Sequence, residues 1–533
     1  MTSKRSFGTA ALAASVAIPC LLAAGGCTVG PDYKAQANSG PASWFAARPV
    51  PRPVASEAVQ EPIDPNWWNL FHDPQLTALE DRVAAQNLDV RIATIRLAES
   101  RAQRGVTASA LFPTLDGNAS YEREKASNTG LFNLLGSSAA GSPGTEASGA
   151  SGTSGAGGVS TSSIAGGGNL APFDLYQYGL DASWEIDLWG RVRRSIESAD
   201  AAINVSAEAR RDTLLTSLAE VARDYVDLRG AQLRARIAQD NLKSAQQSLR
   251  LTQERAAGGL TTDLDVANAE AQVRTTAAEL PAIEQDEARY INALSLLLGQ
   301  PPNALRAELE EPKPVPPVPP RVPIGLPSEL ARRRPDIRRA EAQLQEATAN
   351  IGVAVADFYP SITLNGSVGI QGLQPKNLWT LDSRMYSFGP GISLPIFEGG
   401  RLKSTLQLRE ATQQEAAINY HRVVLQAWHD VDNALTAYDA TQRRRDQLVQ
   451  AVADNQRALG LATSRYQEGV ADFLQVLDAQ RNLLSTQQQL AIATTNVSEN
   501  LVALYKALGG GWETALPDHA AVQASAAPVQ TGL

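Results

Sequence analysis

The chain repeats itself, and that duplication limits what it can fold into. Arg104–Asn118, with Leu111-Phe112-Pro113 at its centre, echoes Ile351–Asn365, with Phe358-Tyr359-Pro360, at an offset of 247 residues. Further on, Gly179, Ser183, Ile186, Gly190 and Arg191 recur as Gly389, Ser393, Ile396, Gly400 and Arg401 at an offset of 210. That offset still holds at Arg255/Arg465, Gly259/Gly469, Leu264/Leu474 and Gly299/Gly509. Two copies of one structural unit therefore make up most of the 533 residues. The offsets differ by 37, which is extra sequence inside the first copy. It coincides with Gly136–Gly168, a tract of nearly all Gly, Ser, Ala and Thr that cannot bury a core and reads as a loop. Between the copies, Pro312–Pro323 holds seven prolines in twelve residues, a stiff extended connector.

Each copy predicts a helix, a β-hairpin, a long helix, a tight turn and a return helix. The strands alternate. Tyr178, Leu180, Ala182, Trp184 and Ile186 point one way, and Gly179, Asp181, Ser183 and Glu185 the other. The repeat mate sets Phe388, Pro390, Ile392, Leu394 and Ile396 against Ser387, Gly389, Gly391 and Ser393. The strands after Pro113 and Pro360 alternate more weakly, with Leu115, Gly117, Ala119 and Tyr121 matching Ile362, Leu364, Gly366 and Val368. One apolar face fits any half-buried sheet, and the strand lengths also fit a membrane β-strand. The helices are long. No proline occurs from Gly400 to Leu508, so Arg401–Arg465 reads as one helix of ~95 Å, about three times a bilayer core, with Arg191–Arg255 as its mate. Ala417, Tyr420, Val424, Ala427, Val431, Ala434 and Tyr438 recur at alternating spacings of three and four, a narrow coiled-coil seam, and Leu215, Leu218, Ala222 and Tyr225 repeat it.

Composition excludes several classes. With 47 Lys+Arg against 56 Asp+Glu the formal charge is −9, and no dense basic tract is present, so nucleic acid is not an expected partner. Two cysteines and four histidines give neither a disulfide framework nor a zinc array, and no cofactor is expected. His429-Asp430 and His72-Asp73 read as surface polar pairs without a nucleophile or metal spacing. No Walker loop or dinucleotide fingerprint appears, so energy must come from a partner, and no enzyme is expected. At the N-terminus, Lys4 and Arg5 precede an uncharged apolar stretch from Phe7 to Ala24, which reads as a secretory signal over residues 1–26. Gly25-Gly26-Cys27 resembles a bacterial lipobox, with Ala24 where leucine is usual. Cys27 is then a lipid attachment site; a simple signal peptide with a chance cysteine is the alternative. Val29 in place of aspartate, by resemblance to bacterial lipoproteins, favours the outer membrane.

Four amphipathic strands per chain cannot close a barrel. Membrane barrels need at least eight strands, because an open edge in lipid leaves backbone groups unpaired. If these strands enter a membrane, several copies must share one barrel. Two copies give eight strands and three give twelve, and only the larger leaves a passage.

At this point the residues resemble the outer-membrane factor family, the TolC-like exit ducts of bacterial efflux systems, and more narrowly its lipoprotein branch serving RND-type pumps. The stretches that carry the resemblance are Cys27–Tyr33, Trp67-Trp68, Leu180–Arg191, Leu326–Ile337, Tyr386–Phe397 and Arg465–Arg481. Any one alone would be weak; together they are specific. The resemblance implies an α+β membrane protein: a homotrimer with a 12-stranded β-barrel, four strands per chain, continued by a long periplasmic α-helical barrel of two tandem repeats. It also implies an equatorial belt from the termini and the inter-repeat segment. The expected division is a signal at 1–26, a lipidated N-terminal segment at 27–72, repeat 1 at 73–311 with the 136–168 insertion, a linker at 312–326, repeat 2 at 327–511 and a tail at 512–533.

Two sites follow from the resemblance. Family members present an Arg-x-x-x-Gly pattern at the hairpin tips to a periplasmic adaptor. Here it is Arg255 to Gly259 and Arg465 to Gly469, and a helix C-cap with a last-turn cation is the competing explanation. Leu474 and Asp478, one turn apart, match the residues of a periplasmic gate: an apolar collar and an acidic ring. The first copy has Leu264 but Asn268 in place of the aspartate. Tyr466 and Arg481 are candidates for closed-state bonds, and a local Asp478–Arg481 pair is the competing explanation. The expected function is a passive gated exit duct, with a periplasmic adaptor, an inner-membrane RND pump and outer-membrane lipid as partners. A duct for type I protein secretion and a poreless periplasmic scaffold lipoprotein are the alternatives.

Overall fold

The computed structural model describes residues 28–35, 44, 56–125 and 172–516. The expected signal, Cys27, the 136–168 insertion and the tail beyond residue 516 lie outside the described residues. In chain order the elements are β1 (Glu57–Val59), α1 (Pro74–Gln86), α2 (Leu88–Ser109), β2 (Thr114–Glu124), β3 (Phe173–Ile186), α3 (Arg191–Ala257) and α4 (Asp263–Leu297). Then follow β4 (Arg321–Pro323), α5 (Pro335–Ala356), β5 (Ser361–Gly372), β6 (Arg384–Ser393), α6 (Arg401–Gln467) and α7 (Phe473–Leu508), with single helical turns between some of them. No helix among the described residues is long and apolar enough to cross a membrane.

The chain divides into two compact units. One is built from Val106–Arg193 and Val353–Leu402, with the described residues up to Val29. Its sheet has the order β2-β3-β5-β6 and is antiparallel throughout. The register aligns the alternation of all four strands. Gly117, Leu180, Val368 and Tyr386 lie in one cross-strand row, and Ala182, Gly366 and Phe388 in another. On the other face Asp116, Asp181, Ser367 and Ser387 share a row, as do Thr114, Ser183, Asn365 and Gly389. Polar side chains bond across that face. The Asn118 amide donates to Asp181 at 2.5 Å, Ser183 donates to Asn365 at 2.9 Å, and the Ser367 and Ser387 hydroxyls are 2.8 Å apart. On the apolar face Tyr386, Phe388 and Ile392 are exposed, while Tyr178 meets the Pro375–Trp379 turn, its hydroxyl donating to the Leu378 carbonyl at 3.4 Å. One expectation is corrected. Leu394 and Ile396 lie beyond the end of β6 at Ser393, and Pro395, lacking an N–H, cannot extend the ladder.

The other unit comprises Gly30–Gly105, Arg194–Gly352 and the chain from Lys403 onward. The helices α3 and α6 each run for 67 residues, ~100 Å at about 1.5 Å per residue. Neither contains a proline. Their seams are buried: Leu215, Leu218, Ala222 and Tyr225 on one, Tyr420, Val424, Ala427, Val431 and Tyr438 on the other. Leu435 is buried as well, while Ala434 is only half-buried. The core is completed by the Trp67–Phe71 turn. Trp67 stacks on Tyr505 of α7 with ring centroids 5.5 Å apart and meets Phe71 edge-on. The preceding segment pairs with the proline connector, β1 parallel to β4. The prolines have no N–H to donate, but their carbonyls are taken: Ser56 donates to Pro319, Ser498 to Pro316 at 2.9 Å and Tyr505 to Pro323 at 3.4 Å. Tyr438 in turn donates to the Ser56 hydroxyl at 2.7 Å. The two acid–histidine neighbours have structural duties. Asp73 caps α1, accepting from the Gln75 and Leu76 amides, and accepts from Tyr225; Asp430 accepts from Arg334 at 3.1 Å.

Candidate functional site

The two helical hairpins turn by the same device. In the first, the Leu260 amide donates to the Arg255 carbonyl at 2.9 Å and the Gly259 amide to Ala256, with Gly259 at φ +66°. In the second, the Val470 amide donates to Arg465 at 3.0 Å and the Gly469 amide to Tyr466, with Gly469 at φ +77°. This is a helix end closed through a left-handed residue, which explains the Arg-x-x-x-Gly spacing: the arginine carbonyl accepts from the amide of the residue after the glycine, and the glycine supplies the positive φ. The return helix α4 then starts at a capping box. The Asp265 carboxylate accepts from Thr261, from the Thr262 hydroxyl and from the Thr262 amide. Those bonds, the one from Thr261 first, hold its pKa below the usual carboxylate range.

The two arginines, equivalent in sequence, differ in surroundings. Arg255 reaches across to the second hairpin. Its Nη1 donates to the Gln467 carbonyl at 2.9 Å, at the orphaned C-terminal end of α6, and its guanidinium lies 4.7 Å from the Tyr466 ring centroid. Arg465 is exposed, with no recorded hydrogen bond or ion pair among the described residues. Tyr466 is buried with Ala269, Phe473, Val476 and Leu477, its ring 5.5 Å from that of Phe473 and its hydroxyl without a partner. Leu474 is 57% exposed and Asp478, one turn on, is also exposed, so both stand on a free face of α7. Arg481 does not pair with Asp478. Its Nε donates to Gln272 of α4 at 2.9 Å, and the neighbouring Gln480 donates to Ser248 of α3 at 2.6 Å. Polar bonds of this kind hold the return helices to their neighbours below the tips. Sequence reasoning missed the Arg255–Tyr466 stack and the Gln272 partner. The one signal for the first was that position 466 is tyrosine where its repeat mate, Ala256, is alanine.

Among the described residues no group of His, Cys, Asp and Glu is placed to hold a metal ion. Among the described residues the elements carry a four-stranded sheet with unpaired outer edges and a largely exposed apolar face, and paired helical hairpins with an exposed tip. A chain of this kind belongs to the class of outer-membrane channels. The sequence model of the family described as "Outer membrane efflux protein" matches residues 79–300 and 326–510. The chain is 31% identical to the probable outer membrane lipoprotein SilC of Salmonella typhimurium, over 85% of this chain and 90% of that protein. It is 32% identical to the solvent efflux pump outer membrane protein SrpC of Pseudomonas putida, over 92% of this chain and 97% of that one. The solved outer-membrane channel OprN superposes with a TM-score of 0.79 at 33% identity, covering 91% of this chain and all of its own. The protein is a member of the outer membrane efflux protein family, and its place is the bacterial outer membrane.

Proposed function

We propose that this chain is the exit-duct subunit of a tripartite RND-type efflux system, a passive channel that three copies form together and that carries small molecules across the outer membrane. One observation carries the assembly: the described sheet has four strands, and β2 and β6 have no neighbours on their outer sides. Unpaired N–H and C=O groups in lipid cost several kcal/mol each, so the edges must be paired by other copies. Three copies give twelve strands, with the Asp, Asn, Ser and Gly face lining a wet lumen and the Tyr, Phe, Leu and Ile face toward lipid. The similarity to a solvent efflux pump protein supports small molecules as cargo. On this reading a periplasmic adaptor docks on the hairpin tips and an inner-membrane pump supplies energy. Leu474 and Asp478 form the collar and the acidic ring of the periplasmic gate, and Cys27 carries the lipid anchor.

The test is single-channel recording in planar bilayers on the detergent-purified oligomer. The wild-type protein should conduct poorly, and L474A/D478N should raise the conductance, because a wider collar wets and conducts. Equal conductance of the two, in preparations that native mass spectrometry shows to be trimeric, rejects the gate. A monomer that never conducts rejects the duct.

A further inference from the structure

The internal repeat turns one observed contact into an expectation about a second, unobserved one. Within one chain, Arg255 of the first tip donates to Gln467 of the second. The offset of 210 maps Arg255 onto Arg465 and Gln467 onto Ala257. In a closed ring of copies, the second tip of one chain stands beside the first tip of the next, in the relation that the two tips have within a chain. We propose that Arg465 is the trans counterpart of Arg255: it donates to the carbonyl of Ala257 of the partner subunit and closes the seam between copies. This rests on the trimeric duct proposed above.

Three observations support it. Both tips have the same backbone, down to the bond that returns to the arginine carbonyl, so the carbonyl of Ala257 is offered as that of Gln467 is. Arg465 stands exposed, with no recorded partner of its own, whereas Arg255 is engaged. The space beside the two glycines differs as well. A Cβ on Gly469 would lie 3.8 Å from the Arg255 guanidinium, while a Cβ on Gly259 would meet no described residue within 4 Å, so the first tip has room for an arginine at the equivalent place.

The two seams cannot be equally strong. Arg255 has the ring of Tyr466 beneath it, and the equivalent residue for Arg465 is Ala256. The joint between copies therefore keeps the charge-assisted hydrogen bond and lacks the cation–π contact. The ring of tips is thus built to part between chains while each chain's two hairpins stay latched.

Crosslinking with a short bis-maleimide in isolated outer membranes tests the geometry, with single-cysteine variants as controls. R255C/Q467C should link within a chain and migrate as monomer, and A257C/R465C should link between chains and give dimer and trimer bands. A trimer, established by native mass spectrometry, in which only R255C/Q467C links would overturn the seam and leave the duct standing. A monomer would overturn both. A256Y supplies the missing ring, so it should lower conductance when Arg465 is present and have no effect in the R465A background. The same change in both backgrounds would count against the proposal.

Discussion

Burial raises the pKa of three carboxyl groups of the helical unit, and no residue pattern signalled it. Glu80 is enclosed, neither oxygen has a hydrogen-bond partner, and its pKa is raised far above the usual carboxylate range by desolvation. Asp224 on α3 is pushed up to about 6, by burial first. Glu499 on α7 is pushed up to about 8, by burial first and then by its hydrogen bond to Asp227. The sign follows from linkage. A raised acid keeps its full stability below the unfolded value of about 4.3 and loses it as pH climbs toward the folded value. E499Q removes the ionisation, so its Tm should match wild type near pH 4 and exceed it by a few degrees above pH 8. Thermal melts in detergent across that range check it, and a pH-independent difference would refute the raised pKa of Glu499. The residue pattern could not reveal this, because Asp227 and Glu499 sit in different repeats and meet only once the helices pack.

The elements themselves were more legible. An uninterrupted seam without proline read correctly as one long helix in each copy, and strand alternation anticipated the faces of the sheet. The cross-strand rows could not be read, since register depends on which strands pair. Pro281 also defies its local rule. It stands inside α4, where a break is the usual outcome, and the helix continues. Close helix approach is another feature that only packing shows. Gly230 on α3 faces Thr495 on α7, and a Cβ built there would collide with the threonine hydroxyl and lie 2.7 Å from its methyl. G230A should therefore destabilise the protein by about 1–3 kcal/mol, although alanine is the better helix former. T495A removes both close atoms, leaving only the Cβ contact at 3.1 Å, so G230A/T495A should recover most of the loss. Additive losses in urea unfolding would mean that the helices do not approach as described.

At the scale of the whole molecule, what was legible in the sequence is the strand count on which the proposed assembly rests. Four alternating strands fall short of any closed membrane barrel, and among the described residues the outer sides of β2 and β6 are unpaired. Which face meets lipid then has a consequence that neighbouring residues on one strand can test. Phe388 and Ser387 are adjacent on β6, both exposed, and point to opposite faces. Ser387 shares its row with Ser367 and Asp181, and Phe388 with Gly366 and Ala182. In the proposed trimer F388R puts an arginine into the hydrocarbon at a cost of about 2–4 kcal/mol per copy near the midplane. The cost recurs in every subunit, so three copies lose enough together to prevent stable assembly. S387R puts the same charge into a wet lumen, where it alters ion selectivity and leaves assembly intact. On unheated gels of outer-membrane fractions, F388R should lose the oligomer band and S387R should keep it. Equal loss in both would show that the strand, not its sidedness, was damaged. The reverse result would turn the sheet inside out and place the aromatic face in the lumen.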